Sequence, residues 1–293
     1  MIVATSNAAL DEYVSSFPRG CAFVPTMGAL HEGHGTLVRL GAGLARDRGL
    51  TAGCIVSIFV NPTQFDDKSD FERYPQTLDA DLARCREAGA ACVYAPAVQD
   101  IYPPGGIAPL PQLPQVATRP QLEDAFRPGH FAGVCQVVAR LFELTQPAVA
   151  VFGEKDWQQL QVVRAMVAMM GTKSRGTNAP LDIIGVPTVR EDDGLAMSSR
   201  NRFLSTAERK TALIISRALH EGRKGRTSHE AQTVMKWTLA KAGVMPDYAV
   251  VREAETLEYH KNVIPGTTYR ALITARVGPV RLLDNAPWSP CAE

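Results

Sequence analysis

Two histidines, His31 and His34, stand three residues apart in VPTMGALHEGHGTLV, directly after an apolar run and a Gly-containing turn. A helix that starts near Gly33 would place both rings on one face of its first turn. Free backbone N–H groups and the helix dipole favour an anion there, and imidazoles can donate hydrogen bonds to phosphate oxygens. Ordinary polar residues or a metal site would show the same spacing, but no third metal ligand is evident nearby.

Three more polar clusters follow apolar runs of the sequence. GEKDWQQL supplies Gly153, where backbone can approach a ligand closely, and Lys155, a mobile positive charge suited to phosphate. SIFVNPTQF ends near Gln64, whose amide suits a hydroxyl or a carboxylate, and MSSRN contains an oxyanion clamp at Ser198–Arg200. Each cluster taken alone is equally compatible with a helix cap, a turn or a solvated surface.

Other polar residues accompany these clusters. Asp156 could cap the helix that follows it or bind a group associated with Mg²⁺, and Gln159, one turn further on, should face the same side. Arg127 and His130 in FRPGHFAGV could add positive charge, although a structural loop is the favoured interpretation of that stretch.

The elements that must position these clusters are strands that alternate with helices. Runs at 21–25, 53–62, 91–96, 148–153 and 181–187 are continuously apolar, which is typical of strands buried on both faces. Helix-patterned segments lie between them, so the sequence predicts an α/β fold with a doubly wound parallel sheet. Ligands bind beyond the carboxyl ends of such strands, and all four clusters leave the sheet at that edge.

The pattern changes after about residue 188. Ser205 and Glu208, at capping-box spacing, open an amphipathic helix; a second helix and three strand-like segments follow. We therefore expect residues 1–188 to form the larger domain and residues 189–293 a smaller α+β domain. A hinge near the MSSRN stretch could carry the smaller domain over the ligand.

Three segments receive structural interpretations. The methionines Met166, Met169 and Met170 fit a helix core. The tail APWSPCAE is expected to be irregular. The Pro- and Gly-rich segment 101–120 is a candidate lid.

The bulk composition limits the possible functions. The 293 residues carry a formal net charge of +1, so we expect neither nucleic acid nor an anionic membrane as a partner. No apolar stretch is long enough for a membrane span, and the N-terminus lacks a signal-peptide pattern. The six cysteines include no C-x-x-C pair and are expected to be buried in a reducing, cytoplasmic compartment.

The motifs together resemble those of the pantoate–β-alanine ligase family. VPTMGALHEGH, SIFVNPTQF, RPGHFAGV, GEKDWQQL, VPTVREDDGLAMSSRN and RLLDN run in family order from about residue 23 to 285. This set is far more specific than the H-x-G-H motif, which class I aminoacyl-tRNA synthetases and many nucleotidyltransferases share. The resemblance implies a Rossmann-like N-terminal domain, a small C-terminal domain and a homodimer. It also implies ATP with Mg²⁺, (R)-pantoate and β-alanine as ligands.

The resemblance further implies residue roles. His34 would be the proton donor with His31 beside it, while Lys155 and Ser198–Arg200 stabilise charge. Gln64 and Gln159 would bind pantoate, and Gln64 would also border the β-alanine site. The ATP site would comprise Met27, Gly28, Ala29, Leu30, His31, Glu32, Gly33, His34, Gly153, Glu154, Lys155, Asp156, Val189, Met197, Ser198, Ser199 and Arg200. No residue is assigned as a metal ligand.

The implied reaction has two steps. The pantoate carboxylate attacks the α-phosphorus of ATP to give pantoyl adenylate and pyrophosphate, and the β-alanine amine then displaces AMP. No protein nucleophile is needed, and the sequence offers no convincing nucleophile–base pair. Two alternatives stay open: a nucleotidylyltransferase that stops at an adenylylated product, and a non-catalytic ATP-binding module.

Three residues depart from what is common in the family, namely Gly35, Thr36 and Asp124, and the stretch 171–180 is slightly enlarged. A glycine inside the first helical turn should loosen the helix slightly. Asp124 replaces a common glycine and could alter the approach to Arg127.

Overall fold

The computed structural model describes residues 1–65, 68–107, 112–175 and 179–291. Residues 108–111 of the candidate lid and 176–178 of the enlarged stretch lie outside this part of the chain. The first sheet contains β1 (Ile2–Ala4), β2 (Ala22–Thr26), β3 (Cys54–Ile58), β4 (Cys92–Tyr94), β5 (Val149–Gly153) and β6 (Asp182–Val186). Its order is β1-β4-β3-β2-β5-β6, and all the pairs are parallel. The predicted α/β fold with a parallel sheet is therefore confirmed, and β1 is an additional short edge strand.

Helices cover both faces of this sheet, which explains why its strands are apolar without alternation. The helices are α1 (Asn7–Ser15), α2 (Glu32–Asp47), α3 (Lys68–Glu72), α4 (Leu78–Glu87), α5 (Val98–Ile101), α6 (Glu123–Phe126), α7 (His130–Thr145), α8 (Trp157–Met170), α9 (Thr206–Gly222) and α10 (Ser228–Lys241). Phe23 of β2 points into one core, shared with α1, α7 and α8, whereas its neighbour Val24 points into the other, shared with α2 and α4. The sheet is thus doubly wound.

A second, antiparallel sheet follows with β7 (Pro246–Glu253), β8 (Tyr269–Val277) and β9 (Val280–Trp288) in the order β7-β8-β9. Helices α9 and α10 share a separate apolar core with it. The capping box at the start of α9 is present, because Ser205 Oγ accepts a hydrogen bond from Glu208 N–H and Glu208 Oε2 accepts one from Ser205 N–H. The C-terminal residues thus form the smaller α+β layer that the sequence predicts.

Buried polar contacts fasten the second sheet to the first. The Glu123 carboxylate accepts hydrogen bonds from Arg281 at 2.7 and 2.8 Å and from Tyr248 Oη at 2.8 Å. Trp157 Nε1 donates to the carbonyl of Ala254 at 2.7 Å. The second sheet is therefore packed against α6 and α8 through these contacts.

Some local expectations are wrong. The tail is not irregular throughout, because Ala286–Trp288 belong to β9 and the buried Trp288 donates from Nε1 to the carbonyl of Gly222. Met166 is a core residue as predicted, but Met169 and Met170 are 52% and 44% exposed at the outer end of α8.

Most of the cysteines are buried, as their apolar sequence contexts predict. Of the six cysteines, five are buried and free, whereas Cys291 is exposed. Within the described residues, no helix has the length and apolar character needed to cross a membrane.

Of the departures from the family pattern, Asp124 has a structural role. The Asp124 carboxylate accepts hydrogen bonds from the backbone N–H groups of Gln121 and Leu122 and from Gln158 Nε2, so it holds the turn before Arg127. Gly35 lies inside α2, and a methyl group there would meet only the mobile ends of Arg39 and Glu32.

A close contact between α7 and the turn after β3 requires glycine at position 133. A Cβ atom there would lie 2.4 Å from the carbonyl oxygen of Thr63. We expect Gly133→Ala to displace this turn and to lower the free energy of unfolding by about 1–3 kcal/mol. Gly43→Ala in α2, where a Cβ atom would have space, is the matched control and should raise it by up to about 1 kcal/mol. Denaturant unfolding measures both, and equal stability of the two variants would contradict the account.

Candidate active site

The direction of winding across the first sheet reverses between the adjacent strands β2 and β5. A crevice forms at such a switch point, beyond the carboxyl ends of the strands. A cavity of about 240 Å³ occupies this place. Its polar walls come from all four predicted clusters, from the segment at the start of α7 and from Tyr74 and Thr188. The polar lining residues are His31, His34, Asn61, Gln64, Tyr74, Arg127, His130, Lys155, Asp156, Gln159, Thr188, Ser198, Ser199 and Arg200.

The two histidines begin α2, with His31 at the N-cap and His34 in the first turn. Their ring centroids are 4.1 Å apart. His34 Nδ1 accepts a hydrogen bond from the backbone N–H of His31 at 3.2 Å, so the proton of the neutral ring sits on Nε2. A Cβ atom on Gly33 would lie 2.9 Å from Cε1 of His31, so the glycine makes room for that ring. The sequence prediction of a histidine pair at a helix start is confirmed.

Both rings are held in the neutral form. Burial lowers the pKa of His31 to about 4, and the positive charges of Lys155 and Arg84 act in the same direction. Burial also lowers the pKa of His34 to about 3, with further effects from His31 and Lys155. Near neutral pH the pair therefore offers neutral hydrogen-bond donors, and the negative charge of a bound phosphate would raise both pKa values.

The turn before α2 is tied to α4 instead of facing the cavity. The Asp81 carboxylate accepts hydrogen bonds from the N–H groups of Ala29 at 3.0 Å and Leu30 at 2.7 Å. Glu32 forms ion pairs with Arg39 and Arg84. The structure thus brings Met27, His31, Gly33 and His34 to the cavity wall, whereas Gly28, Ala29, Leu30 and Glu32 do not line it.

The turn that carries Lys155 is fixed from the second sheet. Asn285 Nδ2 donates to the carbonyl oxygens of Glu154 at 2.9 Å and Lys155 at 2.7 Å. Arg270 donates to Asn285 Oδ1 at 2.6 Å and to Glu154 Oε2 at 2.8 Å, and its guanidinium lies 3.5 Å from the ring centroid of Trp157. Glu154 is therefore occupied in structural contacts, while Lys155 lines the cavity.

The residues on either side of Lys155 also border the cavity. Gly153 precedes the turn, and Asp156 stands at the N-cap position of α8. The predicted cap is not formed, because the Asp156 side chain makes no capping hydrogen bond; it lies 3.8 Å from Lys155 Nζ. Gln159 faces the same cavity from one turn inside α8, as predicted.

The MSSRN segment closes the opposite side. Ser198 Oγ accepts a hydrogen bond from the N–H of Arg200 at 3.3 Å and starts a 3₁₀ turn. Arg200 forms a 2.8 Å ion pair with Asp70, which belongs to the segment after β3. Val189 and Met197 complete this wall. The Arg200 charge is thus partly compensated before any anion binds.

A third wall is built around the backbone of Gln64, whose side chain accepts a hydrogen bond from Asn61 Nδ2 at 3.1 Å. His130 Nδ1 donates to the carbonyl oxygen of Gln64 at 2.8 Å, and Arg127 donates to His130 Nε2 at 3.2 Å. Burial lowers the pKa of His130 to about 4, and Arg127 adds to this effect. Arg127 and His130 thus hold the backbone of Gln64, and both also line the cavity.

Sequence reasoning missed several residues that border or hold the site. Tyr74 and Thr188 line the cavity, and Asp70 and Asn285 hold Arg200 and Lys155, which also line it. Asp81 holds Ala29 and Leu30, in the turn directly before His31. Asp81 lies on a helix with several charges, and its sequence context is that of an ordinary solvated face. Asn285 could have been suspected only from its place in the RLLDN motif.

Among the described residues, the histidine pair belongs to no group of three side chains that could hold a metal ion. Within the described ranges, the one group of three side chains with metal-ligand proximity consists of Glu253, Glu258 and His260, none of which lines the cavity.

Known proteins match this chain over nearly its whole length. The family model for pantoate-β-alanine ligase matches residues 2–287. A pantothenate synthetase from Nocardioides sp. is 44% identical over 273 residues, which cover 90% of this chain and 77% of that protein. One from Stenotrophomonas maltophilia is 43% identical over 284 residues, covering 94% and 96% of the two chains.

Solved structures share the architecture. The pantothenate synthetase from Thermus thermophilus is 40% identical with a TM-score of 0.85, and the match covers 98% of this chain and 99% of that one. A pantoate-β-alanine ligase from Francisella tularensis, crystallised with β,γ-ATP and β-alanine, is 29% identical with a TM-score of 0.78. That match covers 98% of this chain and 97% of the other.

The lowered histidine pKa values generate a pH dependence of stability. Because the unfolded chain takes up protons near pH 6.5 and the folded His34 only near pH 3, stability should fall as the pH drops below about 6.5. His34→Asn keeps an acceptor for the His31 N–H but removes the titrating ring. We expect it to reduce the slope of the unfolding free energy against pH by up to about 1.4 kcal/mol per pH unit. The exposed His229→Asn on α10 is the control and should keep the wild-type slope. Parallel pH profiles for wild type and His34→Asn would refute the assignment.

Proposed function

The chain belongs to the pantoate–β-alanine ligase family, and from this premise we propose how its cavity carries out the ATP-dependent synthesis of pantothenate. One observation carries the proposal: phosphate-binding cations, neutral imidazoles and carboxamides converge on one cavity beside an apolar wall. A single small substrate would not need all of these groups, whereas a nucleotide and a small hydroxy acid bound side by side would use each of them.

We propose that ATP lies along the β2, β5 and MSSRN side of the cavity. Its phosphates meet Lys155, the histidine pair and Ser198–Arg200, because these residues offer positive charge and short-range donors. Gly153, Val189 and Met197 border the nucleoside. The crystallisation of the Francisella tularensis relative with β,γ-ATP supports this placement.

Pantoate then occupies the neutral side of the cavity. Gln64 and Gln159 provide amide groups for its carboxylate and hydroxyls. Its methyl groups meet the apolar wall formed by Phe59, Val134 and Val138. β-Alanine, which the Francisella tularensis relative was also crystallised with, approaches past Gln64.

In the first step, an oxygen of the pantoate carboxylate forms a bond to the α-phosphorus of ATP, and the bond from that phosphorus to the bridging oxygen breaks. The electron pair leaves with pyrophosphate, so negative charge grows on the phosphate oxygens. Lys155 and Arg200 face this charge, and Arg200 exchanges Asp70 for the phosphate. His34 donates from Nε2, and its proton is held more firmly as the phosphate charge raises its pKa.

In the second step, the β-alanine amine attacks the acyl carbon of the adenylate. The new C–N bond replaces the C–O bond to AMP, whose phosphate takes the electron pair. The ammonium proton is lost to solvent or to the departing phosphate. The protein's part is to hold the amine and the adenylate together and to exclude water from the acyl group.

Mg²⁺ fits the donor set of this cavity. Among the described residues that line it, Asp156 supplies the only carboxylate, and its side chain is 45% exposed beside Lys155. Mg²⁺ is commonly held by one or two carboxylates together with substrate phosphates, so we propose Asp156 as its contact on the protein. When bound, the ion neutralises phosphate charge.

We also propose the division into domains 1–188 and 189–293, with the smaller domain closing over the nucleotide through Met197–Arg200. The bidentate pair of Arg190 with Asp284, at 2.6 and 2.9 Å, supports assigning the start of this segment to the second sheet. A cytoplasmic homodimer is proposed on the family resemblance, and the buried free cysteines support a reducing compartment.

Incubation with ATP, Mg²⁺, (R)-pantoate and β-alanine tests the function. We expect AMP and pantothenate in equal amounts, and a first equivalent of pyrophosphate per active site whose release depends on pantoate but not on β-alanine. In folded Lys155→Ala and His34→Ala variants, rapid-quench measurements should show pyrophosphate release slowed by about a hundredfold or more. Lys236→Ala, exposed on α10, is the control and should react at the wild-type rate.

The possible outcomes separate the alternatives. An adenylylated product without amide formation would favour the nucleotidylyltransferase, and ATP binding without turnover the non-catalytic module. Wild-type pyrophosphate release in folded Lys155→Ala and His34→Ala would remove these residues from the first step.

A further inference from the structure

Asp81 is a buried carboxylate that does not line the cavity. It lies on α4 with 2% of its surface exposed. Its two oxygens accept hydrogen bonds from the N–H groups of Ala29 and Leu30, and Thr77 Oγ1 lies 3.2 Å from each of them. The carboxylate therefore joins α4 to the turn that leads into the histidine pair.

The turn that Asp81 holds has an unfavourable backbone conformation. Gly28 has a φ of 80° and Ala29 a φ of 50°, so two consecutive residues lie in the left-handed region. A side chain on Ala29 makes that conformation costly, and the cost must be offset by tertiary contacts. Ala29 is 1% exposed and Leu30 is 9% exposed, so their N–H groups would have no solvent to bind if Asp81 were lost.

The turn fixes the position of the histidines. Leu30 is followed directly by His31, the N-cap of α2, whose backbone N–H anchors the ring of His34. A change of backbone at Ala29 and Leu30 rotates the start of α2 and moves both rings. The N–H groups of Ala29 and Leu30 are already paired, so they shape the phosphate site without binding phosphate.

We propose that Asp81 is a positioning residue for the first step of the reaction: its carboxylate holds the left-handed turn at Gly28–Leu30 and thereby sets the His31–His34 pair against the α-phosphate. This inference rests on the proposed function, and it assigns to Asp81 a role beyond the stability of the fold. When Asp81 is replaced, the rate of the first step and the protection of the turn from hydrogen exchange should therefore change together.

Asp81→Asn removes one acceptor and sets an amide N–H against a backbone donor while keeping the side-chain volume. We expect pantoate-dependent pyrophosphate release to slow by about a hundredfold, the loss that a displacement of about 1 Å produces, with the fold intact. Hydrogen exchange of the amides from Ala29 to Gly35 should accelerate, while the β7–β9 sheet keeps its protection. Asp79→Asn, an exposed neighbour on the same helix, should match wild type in both measurements.

A second substitution separates positioning from simple destabilisation. Ala29→Gly removes the conformational cost at position 29, so Asp81→Asn with Ala29→Gly should recover activity by severalfold, up to about tenfold, over Asp81→Asn alone. A role confined to the negative charge or to global stability gives no such recovery.

Wild-type turnover in Asp81→Asn would overturn the proposal. Slow turnover with unchanged exchange from Ala29 to Gly35 and no recovery by glycine would overturn it as well. If wild type itself formed no pantothenate, the proposed function would fail instead, and the exchange measurement would still report whether Asp81 holds the turn.

Discussion

The site depends on parallel strand pairing at the reversal between β2 and β5. Because both strands end at the same edge, the histidine pair after β2 and Lys155 after β5 face one crevice, although Lys155 lies 121 positions after His34 in the chain. The neighbouring strands β3 and β6 add Gln64 and the segment leading to Arg200. A change of register at β2 or β5 would move one set of donors relative to the other.

The charges of the site are compensated before substrate binds. The histidines are neutral because burial lowers their pKa values, and Arg200 is paired with Asp70. In the proposed reaction a triphosphate replaces Asp70 at Arg200 and raises the histidine pKa values, which frees the Arg200 charge for the anion as it binds. Outside the cavity, Asn285 holds the turn of Lys155, and Asp81 holds the turn at Ala29 that leads to the histidines. Lys155 and the histidine pair can therefore act without reorganisation of their backbone.

Local sequence signals were sufficient to predict the central strands and the start of α9. Continuous apolar runs predicted the five central strands, and the spacing of Ser205 and Glu208 predicted a helix start that the structure contains. The short edge strand β1 and the end of β9 were missed because their pairing is decided by neighbouring strands. Met169 and Met170 show the same limit, because the end of α8 extends beyond the core that buries Met166.

The site could be predicted only in part for the same reason. Residues directly after strands were found, since the end of a parallel strand defines a place in the fold. Arg127 and His130 lie at the cavity because they bind the carbonyl of Gln64, more than sixty residues away in the chain, and no local pattern encodes that contact. Asp81 and Asn285 bind backbone groups of other residues. Because every residue has such groups, the residue types at the bound positions do not reveal these contacts.

The central claim is that the pantoate carboxylate is activated by attack on the α-phosphorus of ATP. It is tested most directly with pantoate labelled with ¹⁸O in its carboxylate and mass analysis of the nucleotide product. We expect one labelled oxygen per turnover to appear in AMP and the other to stay in the amide carbonyl of pantothenate. Unlabelled AMP, with the label in inorganic phosphate or in water, would contradict it.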